Sequence, residues 1–389
     1  MGSIPTFGTM NIRSLFRALQ RRLDPYAPLI EIGVSRSALI HNLAEYQKAY
    51  PNLQFAPVLK SNAYGHGLTL VARILERERI PFLMVDSLYE ARQLRLAGIR
   101  VRILIMGYVR PRDIASANLT DIDFALVDIE QLREVVKSVH RPLRIHLKLD
   151  TGMHRQGITK TDLPEALSLL QSSSLHVVGV CSHFGDADNE NETYSRGQIN
   201  VWKELSGEVL RAFPTIEYRH LAATKGVRFA EEAGTNVVRL GIGLYGLDTS
   251  PRNTLSLMPA LTVRSIVASV REVPVGDWVG YNATYKAESA RMVATVPAGY
   301  YEGVDRRLSS VGAMEVGDTV CPIVGRVSMN MSSIDVTEVK DVSVGDRVCV
   351  ISREAGAPNS IAQMAKLSQT TPYDLFAHLP QHLRRTVDT

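Results

Sequence analysis

The chain is short of cysteine, of excess charge and of any long apolar run, and each shortage removes a class of protein. Only three cysteines, Cys181, Cys321 and Cys349, occur in 389 residues, far apart and never spaced as Cys-x-x-Cys. An odd, sparse set builds neither a disulfide framework nor a zinc site, so no metal is expected, and it fits a reducing, cytoplasmic compartment. No stretch of about 18 apolar residues is present, which argues against a membrane span. The N-terminus lacks the charged-then-apolar order and the cleavage site of a secretory signal. Lysine and arginine number 44 against 40 aspartates and glutamates, and the basic residues are scattered among acids. That pattern gives no footprint for nucleic acid, but it leaves room for a locally basic site that takes a small anionic ligand.

What is present suffices for two domains, because 389 residues exceed one ordinary core. Residues 1–28 read as an N-terminal extension. Met1-Gly2-Ser3-Ile4-Pro5-Thr6 fits the loose myristoylation pattern, and Asn11 to Leu23, with Arg13, Arg17, Arg21 and Arg22, reads as a candidate short basic amphipathic helix. From Leu29 a strand and a helix lead into a regular alternation of short apolar runs and helix-period segments. The runs are Phe55–Leu59, Phe82–Val85, Val101–Met106, Phe124–Val127, Leu143–Leu149, Val177–Cys181, Ile216–His220 and Val237–Leu240. Between them fall helical segments such as Leu70–Arg79, Leu88–Ala97, Ile129–Val139, Leu163–Gln171 and Val201–Ala212. About eight βα units over some 200 residues predict an α/β fold, a (β/α)8 TIM barrel over residues 29–258. An open doubly wound sheet is the alternative, but it would show fewer repeats and an early phosphate fingerprint.

After Met258 the helical period fades. Val275-Gly276-Asp277, Val316-Gly317-Asp318 and Val344-Gly345-Asp346 punctuate short Val-rich runs as tight turns. Residues 259–389 therefore read as a smaller, mainly antiparallel β domain with a short helix at Ile361–Leu367, and Leu29–Val34 is a candidate to pair with it.

In a barrel, chemistry gathers at the C-terminal ends of the strands. There stand Lys60, Lys148 with Asp150, Arg155, His183, His220, Thr224, and Arg239 followed by Gly241-Ile242-Gly243. A lysine closing an apolar run is costly unless paired or used, and burial would lower its pKa and make it a nucleophile toward an aldehyde. The plain alternative is a lysine that snorkels to solvent. Singly, the histidines read equally well as hydrogen-bonded core residues, and Lys148–Asp150 as an ordinary ion pair. Thr224 and the Gly241–Gly243 backbone stand where barrels bind phosphate. A phosphate tail and an aldehyde together describe pyridoxal phosphate.

Beyond single residues, Val58-Leu59-Lys60-Ser61-Asn62-Ala63-Tyr64-Gly65-His66-Gly67 resembles the pyridoxal-phosphate signature of the alanine racemase family. The resemblance runs through Lys148–Arg155, Ser182-His183-Phe184, Arg239–Gly246, Gly280–Tyr285, Pro297–Tyr300, Gly325–Met329 and Thr371-Pro372-Tyr373. It covers roughly residues 29 to 379. It implies that Lys60 holds pyridoxal 5′-phosphate as a Schiff base and serves as one acid/base, with Tyr281 of a second protomer as the other. Racemisation needs two such groups, since a proton leaves one face of the substrate Cα and returns on the other. The resemblance further implies that Arg239 faces the pyridine nitrogen, with His183 and His220 in the surrounding network. Tyr64, Thr224, Gly241, Ile242 and Tyr373 would cradle the phosphate. Arg155 and Met329 would meet the substrate carboxylate, with Lys148 carbamylated to orient Arg155. Tyr300, Arg306 and Arg326 would line the entrance of a site shared within a homodimer.

Ala223, Asn282, Glu302 and Asn330 depart from the family pattern, and they bear on substrate choice more than on reaction type. The leading expectation is interconversion of L- and D-alanine for peptidoglycan precursors. The alternatives are a racemase for serine, lysine or arginine, and a barrel that binds the cofactor without turnover. Decarboxylases on a related barrel show a different motif order.

Overall fold

A computed structural model of the chain describes residues 27–248 and 254–388; the myristoylation pattern and the basic helix lie outside the described residues. The first strand, β1 (Glu31–Ser35), belongs to the second domain: it pairs antiparallel with a strand near residue 264 and parallel with the last strand of the chain. Ser35 then caps the helix Arg36–Ala49, its hydroxyl accepting the Ala38 amide at 3.2 Å.

Eight parallel strands follow: β2 (Gln54–Pro57), β3 (Leu83–Val85), β4 (Ile103–Ile105), β5 (Ile122–Leu126), β6 (Leu143–Lys148), β7 (Leu175–Cys181), β8 (Tyr218–His220) and β9 (Val237–Leu240). β3 to β8 form one sheet in sequence order, and β2 pairs with β9. Single bridges, Val58 to Met84 and Ala223 to Arg239, join the two pieces into the closed (β/α)8 ring. Most strand residues are buried on both faces, which is why the runs read as largely apolar; β8, Tyr218-Arg219-His220, is the exception, with two of its three residues half-buried.

The intervening helices start on side-chain caps where the loop is short. Ser87 and Glu90 form a capping box before Leu88–Leu96, and Asp128 accepts two amides before Ile129–Ser138. The helix Thr193–Ala212 begins eight residues before the apolar period suggests, because its first turns bury Ser195 and Gln198. Pro111–Ser116 is a further helix that periodicity missed; it buries a single apolar side chain, Ile114.

The second domain comprises β10 (Leu261–Ile266), β11 (Ser269–Val273), β12 (Trp278–Val279), β13 (Tyr285–Lys286), β14 (Arg291–Val296), β15 (Ala313–Val316), β16 (Thr319–Pro322), β17 (Ser332–Asp335), β18 (Arg347–Ile351) and β19 (Arg384–Asp388). Its main sheet has the order β16-β15-β18-β10-β1-β19, antiparallel except for the β1–β19 edge. Gly317-Asp318 makes the β15–β16 hairpin turn. The helices Ile361–Leu367 and Pro372–Ala377 return the chain to the barrel rim. No helix among the described residues is long and apolar enough to cross a membrane.

Candidate active site

β2 ends at Pro57, and the next residues do something L-amino acids resist. Ser61, Asn62, Ala63 and Tyr64 all have φ between 51° and 56°, a left-handed turn of four non-glycine residues closed by Gly65 at φ 76°. Such a turn costs about 1–2 kcal/mol per residue, so its surroundings must impose it. The Ser61 amide donates to Glu90 at 2.7 Å, Asn62 Oδ1 accepts the Leu68 amide at 2.8 Å, and Arg385 Nε donates to the Gly65 carbonyl at 2.8 Å. A Cβ on Gly65 would lie 2.3 Å from the Phe376 carbonyl, so that position also requires glycine for space. The turn carries Lys60 and Tyr64 into one cavity. Lys60 is exposed there rather than buried, which corrects the expectation that burial activates it: it stands three residues past the strand and lines the cavity.

The cavity has a volume of about 830 Å³. It collects Lys60, Tyr64, Lys148, Arg155, His183, Thr224, Arg239, Gly241, Ile242 and Tyr373, ten of the positions singled out from the sequence. Thr224 Oγ1 accepts the amides of Gly241 and Gly243 at 3.1 and 3.3 Å. A Cβ at Gly241 would stand 3.0 Å from the Tyr64 hydroxyl, and one at Gly243 would collide with the Tyr46 hydroxyl at 2.4 Å. Hydroxyls and amides thus converge on one end of a cavity whose other walls carry Lys60, Lys148, Arg155 and Arg239, a set that suits an anion. Burial pushes the Tyr64 phenol up to about 12, so it acts there as a donor.

Arg239 is 4% exposed and is held by five hydrogen bonds, none to a carboxylate. Its two terminal nitrogens meet the carbonyls of Ser182, His220 and Leu221, His183 Nδ1 at 2.7 Å and His220 Nδ1 at 2.9 Å. Burial pushes the guanidinium down to about 10, and burial with the Arg239 charge pushes both histidines well below their usual value. The histidines are therefore neutral acceptors. His220 is wholly buried behind Arg239 rather than in the cavity wall.

Lys148 does not pair with Asp150. Its Nζ donates to Gln156 Oε1 at 3.0 Å, while Asp150 Oδ1 accepts the amides of Gly152 and His154. Burial pushes the Lys148 amine down, aided by Arg239 and Arg155.

Tyr281, Tyr300, Arg306, Arg326 and Met329 lie outside this cavity, in the second domain. They belong to adjoining loops. A Cβ on Gly280 would be 3.3 Å from the Arg326 amide, Tyr300 and Tyr301 donate to the Ser328 and Met329 carbonyls, and Val327 donates to Ser309, whose hydroxyl reaches Arg306. Tyr281 is 66% and Met329 56% exposed.

The departures from pattern have local reasons. Asn282 has φ 62°, the left-handed region that asparagine tolerates best after glycine. Glu302 and Asn330 touch: Asn330 Nδ2 donates to Glu302 Oε1 at 2.8 Å, and Glu302 Oε2 takes the Gly299 amide at 2.9 Å. Asn330 and the Gly299 amide thus occupy the two oxygens of the Glu302 carboxylate. Lys225, beside Ala223, lines the cavity but is ion-paired with Asp188. Gln156 and Asp188 escaped the sequence reading because both sit in loops beyond the strand ends.

Two family descriptions match in chain order: "Alanine racemase, N-terminal domain" over residues 34–249 and "Alanine racemase, C-terminal domain" over 260–387. Among curated relatives, alanine racemase 1 of Caldanaerobacter subterraneus subsp. tengcongensis is 31% identical over 91% of this chain and 93% of its own length. The alanine racemase of Carboxydothermus hydrogenoformans is 32% identical over 89% and 95%. The crystal structure of the Bacillus anthracis alanine racemase with bound L-Ala-P superposes with a TM-score of 0.85 at 30% identity, covering 94% of this chain and 96% of that one. Pyridoxal 5′-phosphate is the cofactor of this family, and the cavity fits it, with a lysine for the aldehyde, hydroxyls and amides for the phosphate, and a buried guanidinium in the same wall. With both halves matched in order and the cofactor's contacts gathered in one cavity, the chain belongs to the alanine racemase family and is a pyridoxal-phosphate-dependent isomerase.

Proposed function

We propose that the protein interconverts L- and D-alanine, with Lys60 and Tyr281 exchanging protons on opposite faces of the substrate Cα. The observation that carries this reading is the wall shared by Lys60, Arg239 and the Thr224–Gly241 cradle within one cavity. When bound, pyridoxal phosphate withdraws electrons from the Cα and acidifies its proton. Thr224, Tyr64, Tyr373 and the Gly241–Ile242 backbone hold its phosphate, and Lys60 anchors its aldehyde. Arg239, a buried cation in the cavity wall, would meet the cofactor ring and disfavour protonation of its nitrogen, which would limit the electron sink and favour return of the proton over side reactions. Arg155 and Met329 orient the substrate carboxylate. Lys148, whose buried amine is biased toward the neutral form that takes up carbon dioxide, becomes a carbamate that holds Arg155 in place.

Tyr281 stands exposed and outside its own chain's cavity, which supports a site completed by a second copy of the chain, with Tyr300, Arg306 and Arg326 at its entrance. The homodimer is part of the same proposal, as are a cytoplasmic location and supply of D-alanine for peptidoglycan. Incubating the purified protein with a panel of L-amino acids and resolving the products on a chiral column tests the reading. Alanine is expected to be turned over best; a clear preference for serine, lysine or arginine would replace it.

A further inference from the structure

The barrel interior holds a second line of titratable groups, running from Arg239 to the opposite end of the strands. His220 accepts from Arg239 through Nδ1 at 2.9 Å, so its ring proton lies on Nε2. Nε2 is 2.8 Å from His146 Nδ1, which must then be an acceptor and place the His146 proton on its own Nε2. That atom faces Asp123 Oδ2 at 3.4 Å, and neither of the two has another hydrogen-bond partner among the described residues. Asp123 Oδ1 is taken by Arg102 at 3.0 Å and Arg144 at 3.1 Å. His146, His220 and Asp123 are all fully buried.

The surroundings are shaped for this line. A Cβ on Gly179 would stand 2.2 Å from His146 Nδ1, so β7 makes room for the ring by lacking a side chain. Tyr218 stacks on His146 at 5.7 Å and 8°, and Phe82 meets it edge-on. The charged or titratable groups acting on His220 are Arg239, His146 and Lys148; those on His146 are Asp123, Arg144 and Glu217.

We propose that Asp123 and His146 are positioning residues that fix the direction of a proton-bond chain ending on Arg239, so that His220 can only accept from the guanidinium. The inference rests on the reading that Arg239 faces the cofactor ring. Direction matters because a reversed chain puts a His220 N–H against an Arg239 N–H, two donors with nothing between them. The guanidinium would then rotate or retreat from the cavity wall.

Asp123→Asn reverses the chain by necessity. Arg102 and Arg144 require an oxygen at the Oδ1 position, so the new amide nitrogen points at His146 Nε2 and donates. His146 must then carry its proton on Nδ1 and drive His220 into the same form. His146→Gln, by contrast, spans the same gap with an oxygen toward His220 and a nitrogen toward Asp123, preserving direction.

Long-range nitrogen–proton NMR of histidine-labelled protein reads the forms directly, with and without pyridoxal phosphate. Wild type and His146→Gln are expected to show neutral His220 protonated at Nε2, and Asp123→Asn to show it protonated at Nδ1. Asp123→Asn is further expected to lower kcat by roughly tenfold to a hundredfold at unchanged KM, to shift the absorbance of the bound cofactor, and to lose more than His146→Gln. A wild-type His220 protonated at Nδ1, or charged, overturns the proposal. So does an Asp123→Asn protein with His220, kcat and absorbance unchanged. If Asp123→Asn does not fold, the wild-type and His146→Gln spectra decide. The cofactor-free spectra do not depend on turnover, so a failure of the racemase reading would show separately, as a wild-type protein without racemase activity.

Discussion

Arg239 sits 4% exposed at the barrel rim, fixed by five hydrogen bonds, while Tyr281 stands 66% exposed on a loop of the β domain. The barrel half of the site is finished within one chain: its cations, hydroxyls and glycines already face one another across a cavity. The β-domain half is a cluster of adjoining loops whose aromatic, methionine and arginine side chains point outward. The contrast teaches that the cofactor's contacts are gathered in one chain's interior, while the loops that carry Tyr281 are a surface. On the proposed function, binding the cofactor and moving the second proton are then separable tasks, the second of them performed against another copy of the chain.

The sharpest break of that contrast is Lys60→Ala, expected to lower kcat by about a thousandfold or more and to abolish fixation of the cofactor to the chain by borohydride. Tyr281→Phe should cost about a hundredfold to ten-thousandfold in kcat, yet leave cofactor fixation intact. Equal loss of cofactor in both variants would erase the division. Mixing the two inactive proteins under subunit exchange sharpens it: one site in each hybrid dimer regains Lys60 and Tyr281 together, giving about a quarter of wild-type activity. No recovery would place both residues in one chain's site.

Stability should divide in the same way. In the barrel, His66 is pushed down to about 4 by burial, and His146, His183 and His220 are lowered chiefly by burial. Depressed pKa values mean that the unfolded chain takes up protons first as pH falls. Their contribution is complete above about pH 6.5 and is lost as pH drops toward the folded values, at up to about 1.4 kcal/mol per pH unit per histidine. Urea midpoints measured from pH 7.5 to pH 4 should fall steeply below pH 6.5, and a flat profile would contradict the neutral histidines. The smallest effect is Gly179→Ala, which overpacks the His146 ring and should cost about 1–3 kcal/mol, read as a lowered urea midpoint.

Much of this was legible from the amino-acid order. The eight apolar runs became eight barrel strands because most of their residues are buried on both faces, and ten positions named from the sequence meet in one cavity. Lys60 was read as buried because an apolar run precedes it, but the left-handed turn that lifts it into the cavity depends on Glu90 and Arg385, far away in sequence. His146 did carry a signal, standing two residues before Lys148 on the same strand face. Its partner Asp123 falls one residue outside the apolar run Phe124–Val127, yet β5 begins at Ile122 and carries it inward. The Glu302–Asn330 contact was invisible, since each substitution looks like a loss until the other is placed beside it.

The turn after Lys60 has one more consequence, concerning the order in which the protein is made. Its left-handed geometry is held from both domains: Glu90 of the barrel supports the Ser61 amide, while Phe376 packs beside Gly65 and Arg385 grips the Gly65 carbonyl. Tyr373 reaches the same cavity from its own side. A growing polypeptide can therefore complete its barrel strands by Leu240 and still lack the clasp that aims the lysine. The contacts that hold the turn are complete only when residues around Phe376 and Arg385 have docked against it.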